Sequence, residues 1–169
     1  MAMKFVLALA VSFGLAALSA AAPTLRGGLW LFSPDAPAKL GIIGRPGDFH
    51  PTLLFVECQI GRASGLIDIE SADLAKLIAA NAYLTIVSRR DDQELRFFID
   101  SIRQLDAGST QFALEVSITA AILDQWAVPG NLTLEIGHNA TPWAPTVVHE
   151  LPRMDREESV RAFRAACFG

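Results

Sequence analysis

Thr52-Leu-Leu-Phe-Val-Glu-Cys-Gln-Ile60 is the stretch on which the fold turns. Leu54, Val56, Cys58 and Ile60 fall on one side of an extended chain, with Phe55, Glu57 and Gln59 on the other. That period of two predicts a strand with one apolar face. Gly61 and Gly65 follow. They predict a turn over 61–65 and a returning strand over 66–69, a β-hairpin.

Beyond the hairpin the same signals repeat. Ser71 is placed to cap a short helix over 72–80, with Leu74, Leu77 and Ile78 on one side and Asn81 as its stop. Strands are predicted over 83–89 and 94–102, joined by the polar turn Arg90-Asp91-Asp92-Gln93. After a turn at 106–110 come a strand over 111–118 and a helix over 119–126 that Pro129-Gly130 ends. A strand over 132–137, a proline-bounded loop over 138–145 and a strand over 146–150 complete the β elements. Asp155, with Glu158 three residues on, predicts an acidic capping box for a last helix. Its apolar stripe is read as Val160, Phe163, Ala166 and Cys167.

Before the hairpin, residues 23–50 are broken by Gly and Pro, leaving short strands at 29–32 and 40–43. Together these elements predict a mainly β chain of α+β type. It is expected to form a β-sandwich or a curled antiparallel sheet, with two short helices and a C-terminal helix packed on it. Segments 74–87 and 122–136 share a plan of helix, turn and Leu-Thr-Ile or Leu-Thr-Leu. So few matched residues read as coincidence rather than duplication.

The N-terminus reads as an address. Lys4, an apolar run over 5–18 and then Ser19, Ala20, Ala21, Ala22 and Pro23 are the three parts of a secretory signal peptide. The apolar run falls short of the ~20 residues that cross a bilayer. Small residues at 19 and 21 suit cleavage after Ala21, and cleavage after Ala22 is the alternative. The expected organisation is a signal peptide over 1–21 and a single disulfide-stapled β-rich domain over 22–169. The expected location is periplasmic or secreted, with no membrane span after cleavage.

The formal charge is −4. A mildly acidic chain argues against nucleic acid and against anionic membrane surfaces as partners. Its content of Ile, Leu, Val and Phe excludes disorder.

Cys58 and Cys167 are the two cysteines. Export makes a disulfide between them chemically possible. The strand period and the helix stripe each send a sulfur inward. Such a bridge would close a loop of about 110 residues, for which the chain-entropy treatment gives roughly 4.7 kcal/mol. No Cys-x-x-Cys is present, so a catalytic redox pair is not expected.

The layout resembles that of small exported bacterial proteins, some of them associated with type VI secretion loci. The residues that carry the resemblance are Thr52-Leu-Leu-Phe-Val-Glu-Cys58, Leu132-Thr-Leu-Glu-Ile136 and Arg161-Ala-Phe-Arg-Ala-Ala-Cys167. The resemblance implies an accessory periplasmic protein and carries no catalytic residue over.

Candidate chemistry is sparse. His50, His138 and His149 have no zinc spacing, so no metal or other cofactor is expected. Asp68 and Glu70 share a strand face and could work as acid and base, the basis of an alternative reading as a cell-envelope hydrolase. Ser64 lacks the Gly-x-Ser-x-Gly spacing of a nucleophile elbow, and the glycines at 41, 44 and 47 match no phosphate loop. The segment with most promise is His138-Asn-Ala-Thr-Pro-Trp-Ala-Pro145, a possible binding loop of His138, Asn139 and Trp143. Trp143 sits there either as an exposed anchor or folded back as a lid over the sheet edge. The expected function is a non-catalytic accessory or protein-binding module with a partner in the cell envelope. An inhibitor or immunity protein against a secreted enzyme is a further alternative.

Overall fold

The computed structural model describes residues 28–43, 51–59, 61–140 and 142–169, and for 51 and 52 the backbone alone. The signal-peptide segment 1–21, His50 and Ile60 lie outside the described residues. The elements are β1 (Leu29–Ser33), β2 (Lys39–Ile43), β3 (Pro51–Gln59), β4 (Arg62–Glu70), α1 (Ala72–Ala79), β5 (Leu84–Arg90), β6 (Gln93–Gln104), β7 (Gln111–Ile118), α2 (Ala120–Trp126), β8 (Leu132–His138), β9 (Val147–Glu150) and α3 (Arg156–Phe168). The strands form one curled antiparallel sheet in the order β1-β2-β3-β4-β7-β6-β5-β8-β9. Its two ends approach each other. Leu29 bridges Met154, Trp30 N donates to Met154 O at 3.1 Å, and Trp30 Nε1 donates to Pro152 O at 2.8 Å.

The period-two reading of β3 holds. Leu54 and Val56 are fully buried, opposite Ile67 and Gly65 of β4. Across the next ladder Gly65, Ile67 and Ile69 face Val116, Leu114 and Phe112 of β7, which makes the apolar floor continuous. The turn expected over 61–65 is shorter than predicted. Gly61 adopts φ +73, but Arg62 already begins β4. Gly65 is inside the strand for a packing reason: a Cβ there would lie 2.9 Å from Val116 Cγ2 and 3.0 Å from Ile118 Cγ1. A glycine that signals a turn in sequence here permits close approach of neighbouring side chains.

The short helices start as predicted. Ser71 Oγ accepts from Leu74 N at 3.1 Å, and Thr119 Oγ1 accepts from Ile122 N at 3.4 Å. The capping box at α3 does not form. Asp155 has φ +56 and its side chain makes no cap bond. N-cap acceptance needs an extended residue, and the left-handed turn carries the carboxylate away from the helix end. The buried stripe of α3 is Arg156, Ser159, Val160, Phe163 and Cys167, while Ala166 is exposed.

Cys58 and Cys167 are disulfide-bonded, with Cα atoms 5.4 Å apart across 109 residues of sequence. The bond fastens α3 to β3, and no free cysteine occurs among the described residues.

Segments 74–87 and 122–136 each run from a short helix into a strand, α1 into β5 and α2 into β8. Ser71 and Thr119, Leu74 and Ile122, Leu84 and Leu132, and Val87 and Glu135 are all separated by the same interval. Strand β4 pairs with β7 and β5 with β8, each antiparallel, and Val87 lies directly opposite Glu135. Few side chains match because the two units bury different partners. Leu77 and Ile78 of α1 correspond to Gln125 and Trp126 of α2. These bond to Ser88, with Gln125 Oε1 accepting from Ser88 Oγ at 2.6 Å and Trp126 Nε1 donating to Ser88 Oγ at 2.8 Å.

Candidate functional site

Residues 138–140 and 142–145 are built against the outer face of β5, β6 and β8. The register puts Thr85, Val87 and Arg89 of β5 on one side with Phe98, Arg96 and Glu94 of β6, and with Gly137, Glu135 and Thr133 of β8. His138 is exposed at the end of β8. Asn139 N donates to Tyr83 O at 2.8 Å, and Thr146 N donates to Ile136 O at 2.8 Å. Gly137 lets the loop lie close: a Cβ there would meet Ala144 O at 2.9 Å and Thr146 N at 3.1 Å. Trp143 is therefore folded back over the sheet and half-buried, while Pro142, Ala144 and Pro145 stay exposed.

Beneath Trp143 is a charge network. Glu135, 7% exposed, accepts from Arg89 Nε at 2.8 Å and Arg89 Nη2 at 3.1 Å, from Trp143 Nε1 at 3.0 Å and from Thr133 Oγ1 at 3.4 Å. Arg89 Nη1 also meets Glu94 Oε2 at 3.1 Å. Arg96 pairs with Glu94 and lies 5.2 Å from the centre of the Trp143 ring. Burial pushes the Glu135 carboxyl up, but the hydrogen bonds of Arg89, Trp143 and Thr133 outweigh it and hold its pKa below the usual carboxylate range. The hydrogen bond to Glu135 in turn raises the pKa of Arg89.

Beside this network two aromatic rings remain uncovered. Tyr83, just before β5, is 65% exposed and Phe98 of β6 is 52% exposed. Their centroids are 5.8 Å apart and their planes are inclined at 57°. The sequence reading singles out Trp143 but neither exposed ring and none of the charges beneath it. The available signal was Glu135 itself, a charge inside the aliphatic run Leu132-Thr-Leu-Glu-Ile136. Such a residue needs buried partners.

The carboxylate pair lies elsewhere. Asp68 and Glu70 are exposed on β4, beside a shallow depression of about 270 Å³ that Ile69, Leu105 and Gln111 also line. Burial raises the Asp68 pKa, and Arg103 partly opposes this. His149 is on β9, with Nε2 buried and without a hydrogen-bond partner and its pKa lowered by burial. It does not line that depression. Among the described residues no group of His, Cys, Asp and Glu is arranged to hold a metal ion. No described helix is long and apolar enough to cross a membrane.

No protein-family model, curated protein or solved structure matches the chain.

Proposed function

We propose that this chain is an exported, non-catalytic protein-binding module of the periplasm or extracellular space, and that it meets its partner with the outer face of β5 and β6. The observation that carries this reading is the Tyr83–Phe98 pair, two touching rings each more than half exposed. They stand on a strand pair braced by the Arg89–Glu135 ion pair and by Trp143. Aromatic side chains in fixed positions bring large contact area at low entropic cost, which is what interface anchors need. The Cys58–Cys167 bond supports an oxidising location, where disulfides persist. An inhibitor or immunity protein would be one member of this class. The hydrolase reading has less support, because among the described residues no histidine or third acid lines the depression beside Asp68 and Glu70.

The test uses the full chain in cells that export it. A photo-crosslinking amino acid replaces Tyr83, and the same group at Asp106, in the turn before β7, serves as control. The expected outcome is a discrete protein adduct from position 83 that Phe98→Ser removes. No adduct from 83, or the same adduct from 106, would overturn the reading. The intact mass of the exported chain, expected to begin at Ala22, tests the address.

A further inference from the structure

A second feature lies at the other end of the β5–β6 hairpin, where α2 crosses it. A cavity of about 540 Å³ is lined by Arg90, Gln93, Glu94, Asp124, Gln125 and Val128, among others. Most of its polar groups are engaged. Glu94 meets Arg89 and Arg96, Asp124 meets Arg164 Nε at 3.0 Å, and Gln125 is bonded to Ser88 and to Gln93 O. Arg90 is the exception. Its Nη2 bonds to Gln93 Oε1, but Nε and Nη1 are buried and have no partner.

Arg156, the first residue of α3, does not itself line the cavity but bonds to the carbonyl of Val128, which does. It is 1% exposed. Its Nη2 is held by Val128 O at 3.0 Å and Gly130 O at 2.9 Å, whereas Nε and Nη1 are buried without a partner. Gly130 ties the two arginines together. Its carbonyl takes the Arg156 bond, and a Cβ on it would lie 2.8 Å from Asp91 Oδ2 and 3.5 Å from Arg90 Cγ. Arg90 is also among the charges that Arg156 senses, together with Arg153 and, of opposite sign, Glu157 and Asp91. Neither Arg90 nor Arg156 has a carboxylate within ion-pair distance among the described residues.

A guanidinium does not shed its proton, so burial cannot be relieved by neutralisation. Water could fill the open donors but would leave two like charges together in a medium of low dielectric constant. An oxyanion satisfies the donors and offsets the charge, and the positive end of the α3 dipole adds to its attraction. We infer that Arg90 and Arg156 form an oxyanion-binding site, entered from the cavity beside α2, that takes a small carboxylate or phosphate group.

The experiment titrates the disulfide-intact protein with acetate, with inorganic phosphate and with chloride at matched ionic strength. The readouts are Tm and the side-chain Nε–Hε resonances of Arg90 and Arg156 in NMR spectra. The expected result is a saturable shift of both resonances and a rise in Tm with acetate or with phosphate, and the better of the two names the source. Arg90→Met should weaken binding by about tenfold to a hundredfold, the worth of one or two charge-assisted hydrogen bonds. Arg153→Ala should leave it unchanged. Arg156→Met is the less secure variant because it also empties a buried position, so Arg90→Met decides. No saturable shift with either oxyanion, an equal response to chloride, or an unchanged affinity in Arg90→Met would each overturn the inference.

Discussion

The indole N–H of Trp143 donates to Oε2 of Glu135 at 3.0 Å, and this bond holds the proline-bounded loop down on the sheet. Trp143→Phe keeps a ring for Arg96 to cover but removes the donor. It should cost about 1 kcal/mol of stability. Glu135→Ala leaves Arg89 with Glu94 as its remaining partner and should cost ~1–3 kcal/mol. Urea denaturation of the two variants tests the order. An equal or reversed ranking would show that the loop is held by packing on Gly137 instead.

The Cys58–Cys167 bond closes most of the described chain into one loop. Replacing both cysteines by serine should lower stability by roughly 2–5 kcal/mol, the range for native disulfides of small exported domains. The amides of α3 should lose hydrogen-exchange protection before those of β4 and β7. Uniform loss across the sheet would mean that α3 is not the element the bond retains.

Glu135 and His149 make stability fall with acid, while the raised pKa of Asp68 works in the opposite direction. The folded-state pKa of Glu135 lies below its ordinary 4.5, so the unfolded chain protonates first. Its contribution is complete above that value and is lost as pH falls through the folded pKa. The pKa of His149 is lowered below its ordinary 6.5, so as acid is added the unfolded chain again takes up the proton first. Stability should therefore start to fall below about pH 6.5 and fall further below about pH 4.5. In unfolding free energies measured against pH, His149→Asn should flatten the first decline and Glu135→Gln the second. Wild-type slopes persisting in these variants would assign the effect to other groups.

Gly65→Ala should be destabilising by ~1–3 kcal/mol, because the new methyl would meet Val116 and Ile118 below normal contact distance. Gly108→Ala is the control for backbone freedom. Its φ of +79 carries strain, but nothing lies within 4 Å of the added atom. A smaller loss at 65 than at 108 would show that the β4–β7 layer yields easily.

Much of the architecture could be read locally. The apolar face of β3, the helix starts at Ser71 and Thr119 and the hairpin turn at Asp91 each follow from a few neighbouring residues. The curled sheet with a C-terminal helix was among the expected arrangements. The local reading failed where a residue answers to distant neighbours. Gly65 reads as a turn because the requirement for a missing side chain comes from Val116 and Ile118. Asp155 reads as a cap because the left-handed turn that follows the Met154–Trp30 bond cannot be seen in a capping motif.

The placement of Cys58 and Cys167 on inward faces was determined by the sequence itself, since periods of two and 3.6 are properties of the chain. The location of the aromatic face and of the unpartnered arginines was decided only in the tertiary structure. Glu135 finds Arg89 across β5–β8, and Arg156 finds the carbonyls of Val128 and Gly130. A buried charge is satisfied by whichever donors and acceptors the packed fold brings to it, and sequence spacing does not encode those distances.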